Sequence, residues 1–216
     1  MKYAKLKGLA GVAITDHNKF DGIFEALHLA KREGLLLVPG MEIATNKGDI
    51  IGLFLKEEVT KQNFKDAVRD IKRQGGLAVL PHPYKRANEI TASILDEIDL
   101  IEVFNARGER SSISDCNLRA QELALNNGKA ISAGSDAHFL REIGRGCVDV
   151  QTVSNIQELK HEIETNQVRR IVCRQSSAQI EVLSQIVKFY KLRDLNILKN
   201  FSFNLCIQLR GMLYKR

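Results

Sequence analysis

The chain has 216 residues, of which 44% are hydrophobic and 27% are charged, which suits one domain or one domain with a small appendage. No apolar stretch approaches the roughly 18 residues of a membrane span, and no signal-peptide pattern follows the basic start MKYAKLKGLAG. The four cysteines are widely spaced, which argues against a disulfide framework or a zinc ribbon and favours reduced thiols in the cytoplasm.

The predicted elements alternate between strand and helix. In chain order we predict a strand at 9–15, a helix at 21–34, strands at 35–43 and 49–55, a helix at 60–76 capped by Thr60, strands at 77–83 and within 95–107, a helix at 114–128, strands at 129–138 and 147–153, and a helix at 154–166. Such alternation indicates βαβ units and a mainly parallel sheet, either open or closed into a barrel.

The pattern changes after residue 174, where two helices follow with no strand between them. Residues 175–216 contain seven basic and two acidic residues, which is most of the excess behind the net charge of +6. We therefore predict a domain at 1–174 and a basic helical extension at 175–216. A basic segment of this kind is typical either of a solvated helix face or of contact with an anionic partner such as nucleic acid.

Polar side chains stand where several predicted strands end. His17 lies in AITDHN, His82 in AVLPH and His138 in SAGSDAH, each at the end of an apolar segment. Glu42 and Asp136 also lie at the ends of predicted strands. Because the carboxyl ends of parallel strands converge on one face, these residues are expected to meet in one pocket. Imidazole and carboxylate groups together suit zinc, manganese or iron, so the pattern predicts a divalent metal site.

Other chemistries lack their motifs in this sequence. Ser135 precedes Asp136, but no G-x-S-x-G elbow occurs, and neither a P-loop nor a G-x-G-x-x-G follows a strand. The two remaining histidines, His28 and His161, lie inside predicted helices and are interpreted as surface residues without a role.

The segments AITDHN, GMEI, LPHP, IEVFNAR and GSDAH, in this order over residues 11 to about 150, resemble the PHP (polymerase and histidinol phosphatase) family. The resemblance implies a small stand-alone, metal-dependent phosphoesterase on a distorted (β/α)7 barrel, N-terminally incomplete, with a C-terminal helical extension. It implies two or three divalent ions (Mn, Zn or Fe) in a complete member. The substrate would be a small phosphorylated molecule, a nucleotide or an oligonucleotide, with no membrane partner.

The resemblance also implies residue roles. The metal ligands and catalytic residues would be His17, Glu42, His82, Asp136 and His138, with Glu42 bridging two ions. Asp16 and Asp49 are weaker metal candidates, and the carboxylate of Asp49, where some members have His, favours Mn or Mg over Zn.

Substrate contacts are expected from Asn18, Asn105 and Arg107, whose guanidinium would hold a phosphate oxygen. Lys85 and Arg86 follow Pro81-His82-Pro83 and are candidates to neutralise the phosphate, although a solvated loop is the preferred interpretation. Hydrolysis would proceed by a metal-activated water.

The family's first motif, His-x-His, has no counterpart upstream of Thr15. Three hypotheses are therefore open. The chain is a shortened member of an enzyme family, or a degenerate or truncated member that binds metal or a phosphorylated ligand without turnover, or a module that contacts nucleic acid through its basic C-terminal helices.

Overall fold

The computed structural model describes residues 1–85, 90–109 and 115–177, together with positions 180, 183 and 187. Its elements, in chain order, are α1 (Lys2–Leu6), β1 (Gly11–Ile14), α2 (Ile23–Glu33), β2 (Leu36–Thr45), β3 (Gly48–Leu53), α3 (Phe64–Arg73), β4 (Leu77–Leu80), α4 (Ala92–Glu97), β5 (Leu100–Asn105), α5 (Cys116–Asn126), β6 (Ala130–Gly134), a short 3-10 helix (Leu140–Glu142), β7 (Gly146–Asp149), α6 (Ile156–Glu164) and β8 (Arg170–Cys173). Most of the predicted C-terminal extension lies outside the described residues, and the predicted boundary at residue 174 stays a prediction.

Six strands form one sheet in the order β1-β2-β3-β4-β5-β6, and β7 pairs with β8. The sheet curls into a half-barrel, which confirms the predicted α/β barrel class. Three of its five pairings are parallel, but β3 runs antiparallel to both neighbours. The two-residue turn Asn46–Lys47 causes this, because Thr45 pairs with Gly48 and β2 folds straight back on β3. β8 was not predicted from the sequence.

Two helix termini show how the sequence sets an element boundary. Gly34 ends α2 with a φ of 70°, as the terminal glycine predicted. The prediction of Thr60 as the cap of α3 is wrong: the side chain of Asn63 accepts from the amides of Lys65 and Asp66, so the helix begins at Phe64. Among the described residues, no helix is long and apolar enough to cross a membrane.

The sheet buries a different apolar cluster on each face. Ala78 and Ile101 belong to the outer cluster, with Phe64, Val68 and Ile71 of α3. The inner cluster contains Leu77, Val79 and Leu100, with Ile163 of α6.

Side chains alternate along a strand, so residues two apart share a face. Glu42 is paired with Ile51 and Ile51 with Val79, which assigns Glu42 to the inner face. Asp49 lies two residues from Ile51, and Glu102 lies two residues from Leu100, so both share that face. The inner face therefore carries both the apolar side chains of the inner cluster and the carboxylates of Glu42, Asp49 and Glu102.

Candidate metal centre

Three neighbouring strands bring Glu42, Asp49 and His82 together. Asp49 is paired across the hairpin with Ala44, two residues from Glu42, so the two carboxylates are diagonal neighbours on one face. His82 follows β4, which pairs with β3. One ligand atom from each of the three residues lies within 4.8 Å of the other two. Two carboxylates and an imidazole at this spacing fit a divalent cation.

His82 is held from both its ring and its backbone. Its Nε2 lies 3.2 Å from Oε1 of Glu42, and its backbone N–H donates to Oε2 of Glu102 at 2.7 Å. Its φ of 27° is unusual for a residue with a side chain, and such backbone strain is concentrated at functional sites. Burial opposes protonation of the ring, but the hydrogen bond to Glu42 and the charge of Glu102 outweigh it and raise the pKa of His82.

The Asp-His-Asn segment after β1 lies alongside β2. The amide of Glu42 donates to the carbonyl of Asp16 at 3.1 Å, and the amide of Asn18 donates to the carbonyl of Glu42 at 2.8 Å. Nε2 of His17 is 3.5 Å from Oε2 of Glu42, with 53% of the His17 side chain exposed. Oδ1 of Asn18 accepts from the amide of Ala44. Glu42 therefore lies between His17 and His82, with one carboxylate oxygen near each ring.

Asp136 and His138 follow β6 and form a second group. Nδ1 of His138 lies 2.9 Å from the carbonyl oxygen of Asp136 and 3.6 Å from its Oδ1. A donor role for Nδ1 in this contact leaves the lone pair on Nε2, the atom that a metal would use.

Lys85 links the two groups. Its backbone amide donates to the carbonyl of His82, and its ammonium forms an ion pair with Oδ2 of Asp136. Burial opposes ionisation of Asp136, but the charge and hydrogen bond of Lys85 hold the pKa of this carboxyl below its usual value. The interpretation of Lys85 as a solvated loop residue is wrong, because its side chain is only 14% exposed and reaches a carboxylate 51 residues away. Arg86 lies outside the described residues.

Asn105 and Arg107, predicted as substrate contacts, are buried and have partners within the chain. Oδ1 of Asn105 accepts from the amide of Arg107, and its Nδ2 donates to Glu102. Nε of Arg107 donates to Oε1 of Glu142 at 2.6 Å. Their roles toward a substrate stay predictions, as do the metal roles of the other candidate residues.

Sequence reasoning missed Glu102 and Glu142. Glu102 had a signal, because it interrupts an otherwise apolar strand in LIEVF, and burial raises the pKa of its carboxyl. Glu142 had none, because its four donors come from three separate parts of the chain.

Both the sequence and the fold are similar to those of known proteins. A family model described as PHP-associated matches residues 115–168. The fold is similar to that of a two-domain protein from Bacteroides vulgatus that contains a predicted PHP-like metal-dependent phosphoesterase. The TM-score is 0.61 and the identity 18%, over 74% of this chain and 55% of that one. The chain is thus similar to PHP proteins in this segment of its sequence and in its fold.

Two relatives of this chain come from Methanocaldococcus jannaschii. The uncharacterized protein MJ1587 is 45% identical over 109 residues, which are 49% of this chain and 64% of that protein. The uncharacterized protein MJ0417 is 37% identical over 146 residues, which are 63% of this chain and 56% of that protein. The chain thus spans less than two thirds of the length of the curated relatives that it matches.

Proposed function

We propose that this chain is a metal-dependent phosphoesterase that hydrolyses its substrate with a metal-activated water. The observation that carries the proposal is the convergence of Glu42, Asp49 and His82 within 4.8 Å. These residues come from β2, β3 and the end of β4, so only the folded sheet brings them together. The barrel type that the chain shares with a PHP-like protein supports the same proposal.

Three residues of the site would bind the metal. Glu42, Asp49 and His82 would hold a divalent ion, and Glu42, with His17 and His82 on its two oxygens, is suited to contact two ions. When bound, a divalent metal supplies Lewis-acid polarisation of a phosphoryl oxygen and lowers the pKa of water.

Asp136 and His138 would complete the site on its other side. Lys85, whose ammonium forms an ion pair with Asp136, would neutralise a phosphoryl oxygen of the substrate. Nε2 of His138 would either bind metal or give a proton to the leaving oxygen.

Metal binding is the first test. Protein stripped of metal is titrated calorimetrically with Mn²⁺ and Zn²⁺, beside His82→Ala and the matched control His28→Ala. His28 is exposed on α2, where its ring contacts only the carbonyl of Phe24 in the described structure. We expect His82→Ala to weaken metal affinity at least about tenfold, as mutations of residues around a metal commonly do. His28→Ala should leave the affinity unchanged. A wild-type protein that takes up neither ion would overturn the proposal.

Hydrolysis is the second test. p-Nitrophenyl phosphate and bis(p-nitrophenyl) phosphate separate monoester from diester activity, each with Mn²⁺ and with a chelator. We expect hydrolysis that chelation and His82→Ala both abolish. Metal binding without hydrolysis of either ester would favour the alternative, a PHP protein that binds metal or a phosphorylated ligand without turnover. The predicted nucleic-acid contact rests on basic residues from Lys188 onward, which lie outside the described residues, and stays a prediction.

A further inference from the structure

Glu142 is fully buried, and its carboxylate accepts four hydrogen bonds. Oε1 accepts from Nε of Arg107 at 2.6 Å and from Oγ of Ser176 at 2.8 Å. Oε2 accepts from the backbone amides of His138 at 3.0 Å and Phe139 at 3.2 Å. The four donors lie in three parts of the chain: the end of β5, the loop after β6 and the segment after β8.

Hydrogen-bond donors within the chain compensate the negative charge of the Glu142 carboxylate. Burial opposes ionisation, but the hydrogen bonds from Arg107, Ser176 and the amide of His138 outweigh it and lower the pKa of Glu142. Charge-assisted hydrogen bonds of this kind are short and geometrically specific, so an ionised Glu142 holds its donors in fixed directions.

Two of the four hydrogen bonds, those from the backbone amides of His138 and Phe139, involve the loop that carries candidate metal ligands. The amide of His138 belongs to the loop that also carries Asp136, whose φ is 47°. A residue with a side chain keeps such a backbone angle only where its surroundings impose it. The hydrogen bonds from the amides of His138 and Phe139 to Glu142 supply that constraint.

The segment after β8 is part of the same arrangement. The amide of Ser176 donates to the carbonyl of Ala106 at 2.7 Å, and the amide of Arg174 donates to the carbonyl of Arg145 at 2.7 Å. These contacts attach the segment beside Arg107 and present the Ser176 hydroxyl to Glu142.

We infer that Glu142 is a positioning residue: its buried carboxylate fixes the loop of Asp136 and His138 and thereby sets the affinity of that half of the site for a divalent ion. The inference rests on the proposed function and deepens it. Glu142 would not itself be a metal ligand, because both of its carboxylate oxygens already accept hydrogen bonds. Arg107 is the counter-ion of Glu142. The hydroxyl of Ser176 connects the segment after β8 to the same carboxylate.

The test measures Mn²⁺ affinity and stoichiometry in wild type, Glu142→Gln, Ser176→Ala and the matched control Glu25→Gln. Glu25 is exposed on α2. Circular dichroism at the same temperature establishes that each protein is folded. A two-site isotherm would separate an ion bound at Asp136 and His138 from an ion bound at Glu42, Asp49 and His82, and the site that His82→Ala weakens is assigned to the second group.

For Glu142→Gln we expect a loss of about 10- to 100-fold in affinity at one site, as for other groups that orient ligands, with the other site unchanged. Ser176→Ala removes one hydrogen bond and leaves the loop amides paired, so it keeps the test valid if Glu142→Gln does not fold. Its expected loss at the same site is smaller, about two- to tenfold.

A folded Glu142→Gln protein with wild-type affinity at both sites would overturn the inference and leave the proposed function intact. So would an equal loss at both sites, which a general loosening of the fold would produce. A wild-type protein that binds no Mn²⁺ would overturn the proposed function, and this inference with it.

Discussion

Nε2 of His82 lies 3.2 Å from Oε1 of Glu42, although 40 residues separate them in the chain. Both side chains are about nine-tenths buried, so water does little to screen the contact. The pair links the loop after β4 to the middle of β2, and it makes the site sensitive to pH.

The pH dependence of stability should change sign when metal binds. Because the pKa of His82 is raised above its ordinary value of about 6.5, its contact with Glu42 stabilises the metal-free fold fully below that pH. The stabilisation is lost as pH rises through the raised pKa. With chelator present, the Tm of wild type should therefore fall more steeply from pH 6 to 9 than that of His82→Gln. Parallel Tm curves for the two proteins would contradict this.

Metal affinity should follow the opposite trend, since a metal ligand must be the neutral imidazole. Binding of Mn²⁺ to the wild type should strengthen as pH rises through the same window, as measured by calorimetry in buffers of matched ionic strength. His82→Gln should lose most of this dependence. An equally steep dependence in the variant would assign the titration to another group.

The carboxylate of Asp49 should favour hard ions. Replacement by an imidazole in Asp49→His should raise the Zn²⁺/Mn²⁺ affinity ratio at least about tenfold, because nitrogen ligands suit Zn²⁺ better than Mn²⁺. Competition titration with both ions measures the ratio. Asp21→His, on an exposed turn before α2, is the control. A ratio that stays constant in Asp49→His would remove Asp49 from the ligand set.

Lys85 should compete with metal for Asp136. Lys85→Met frees the carboxylate and removes a positive charge beside the site, so affinity for Mn²⁺ should rise, on the order of tenfold. Turnover of bis(p-nitrophenyl) phosphate at saturating metal should fall, since a neutralising cation is lost. Lys65→Met, exposed on α3, should change neither quantity. Weaker metal binding in Lys85→Met would show that the lysine supports the site instead.

Close packing under the site should make Gly134 intolerant of a side chain. A Cβ at this position would clash with Oε1 of Glu102, whose other carboxylate oxygen accepts a hydrogen bond from the His82 amide. Gly134→Ala should lower the free energy of unfolding by about 1–3 kcal/mol in urea and weaken Mn²⁺ binding. Gly22→Ala meets nothing within 4 Å and should be close to neutral. Equal midpoints for the two variants would contradict this packing.

The sequence by itself determined what short-range physics controls. Alternation of apolar segments predicted most of the strands, and Gly34 predicted the end of α2, because a left-handed C-cap needs only its own residue. Polar residues at predicted strand ends indicated Glu42 and His82, since carboxyl ends of parallel strands share one edge of a sheet. His82 does follow β4, but Glu42 lies within β2, because that strand continues to Thr45 in its pairing with β3. Thr60 failed as a cap because Asn63, three residues on, already satisfies the first amides of α3.

Only the tertiary structure decided which side chains meet. The direction of β3 depends on a two-residue turn and on pairing with β4, and no periodicity in DIIGLFL encodes either. The ion pair of Lys85 with Asp136 and the four donors of Glu142 join segments far apart in the chain. A buried charge is tolerated only where partners compensate it, and those partners are known only once the chain has folded.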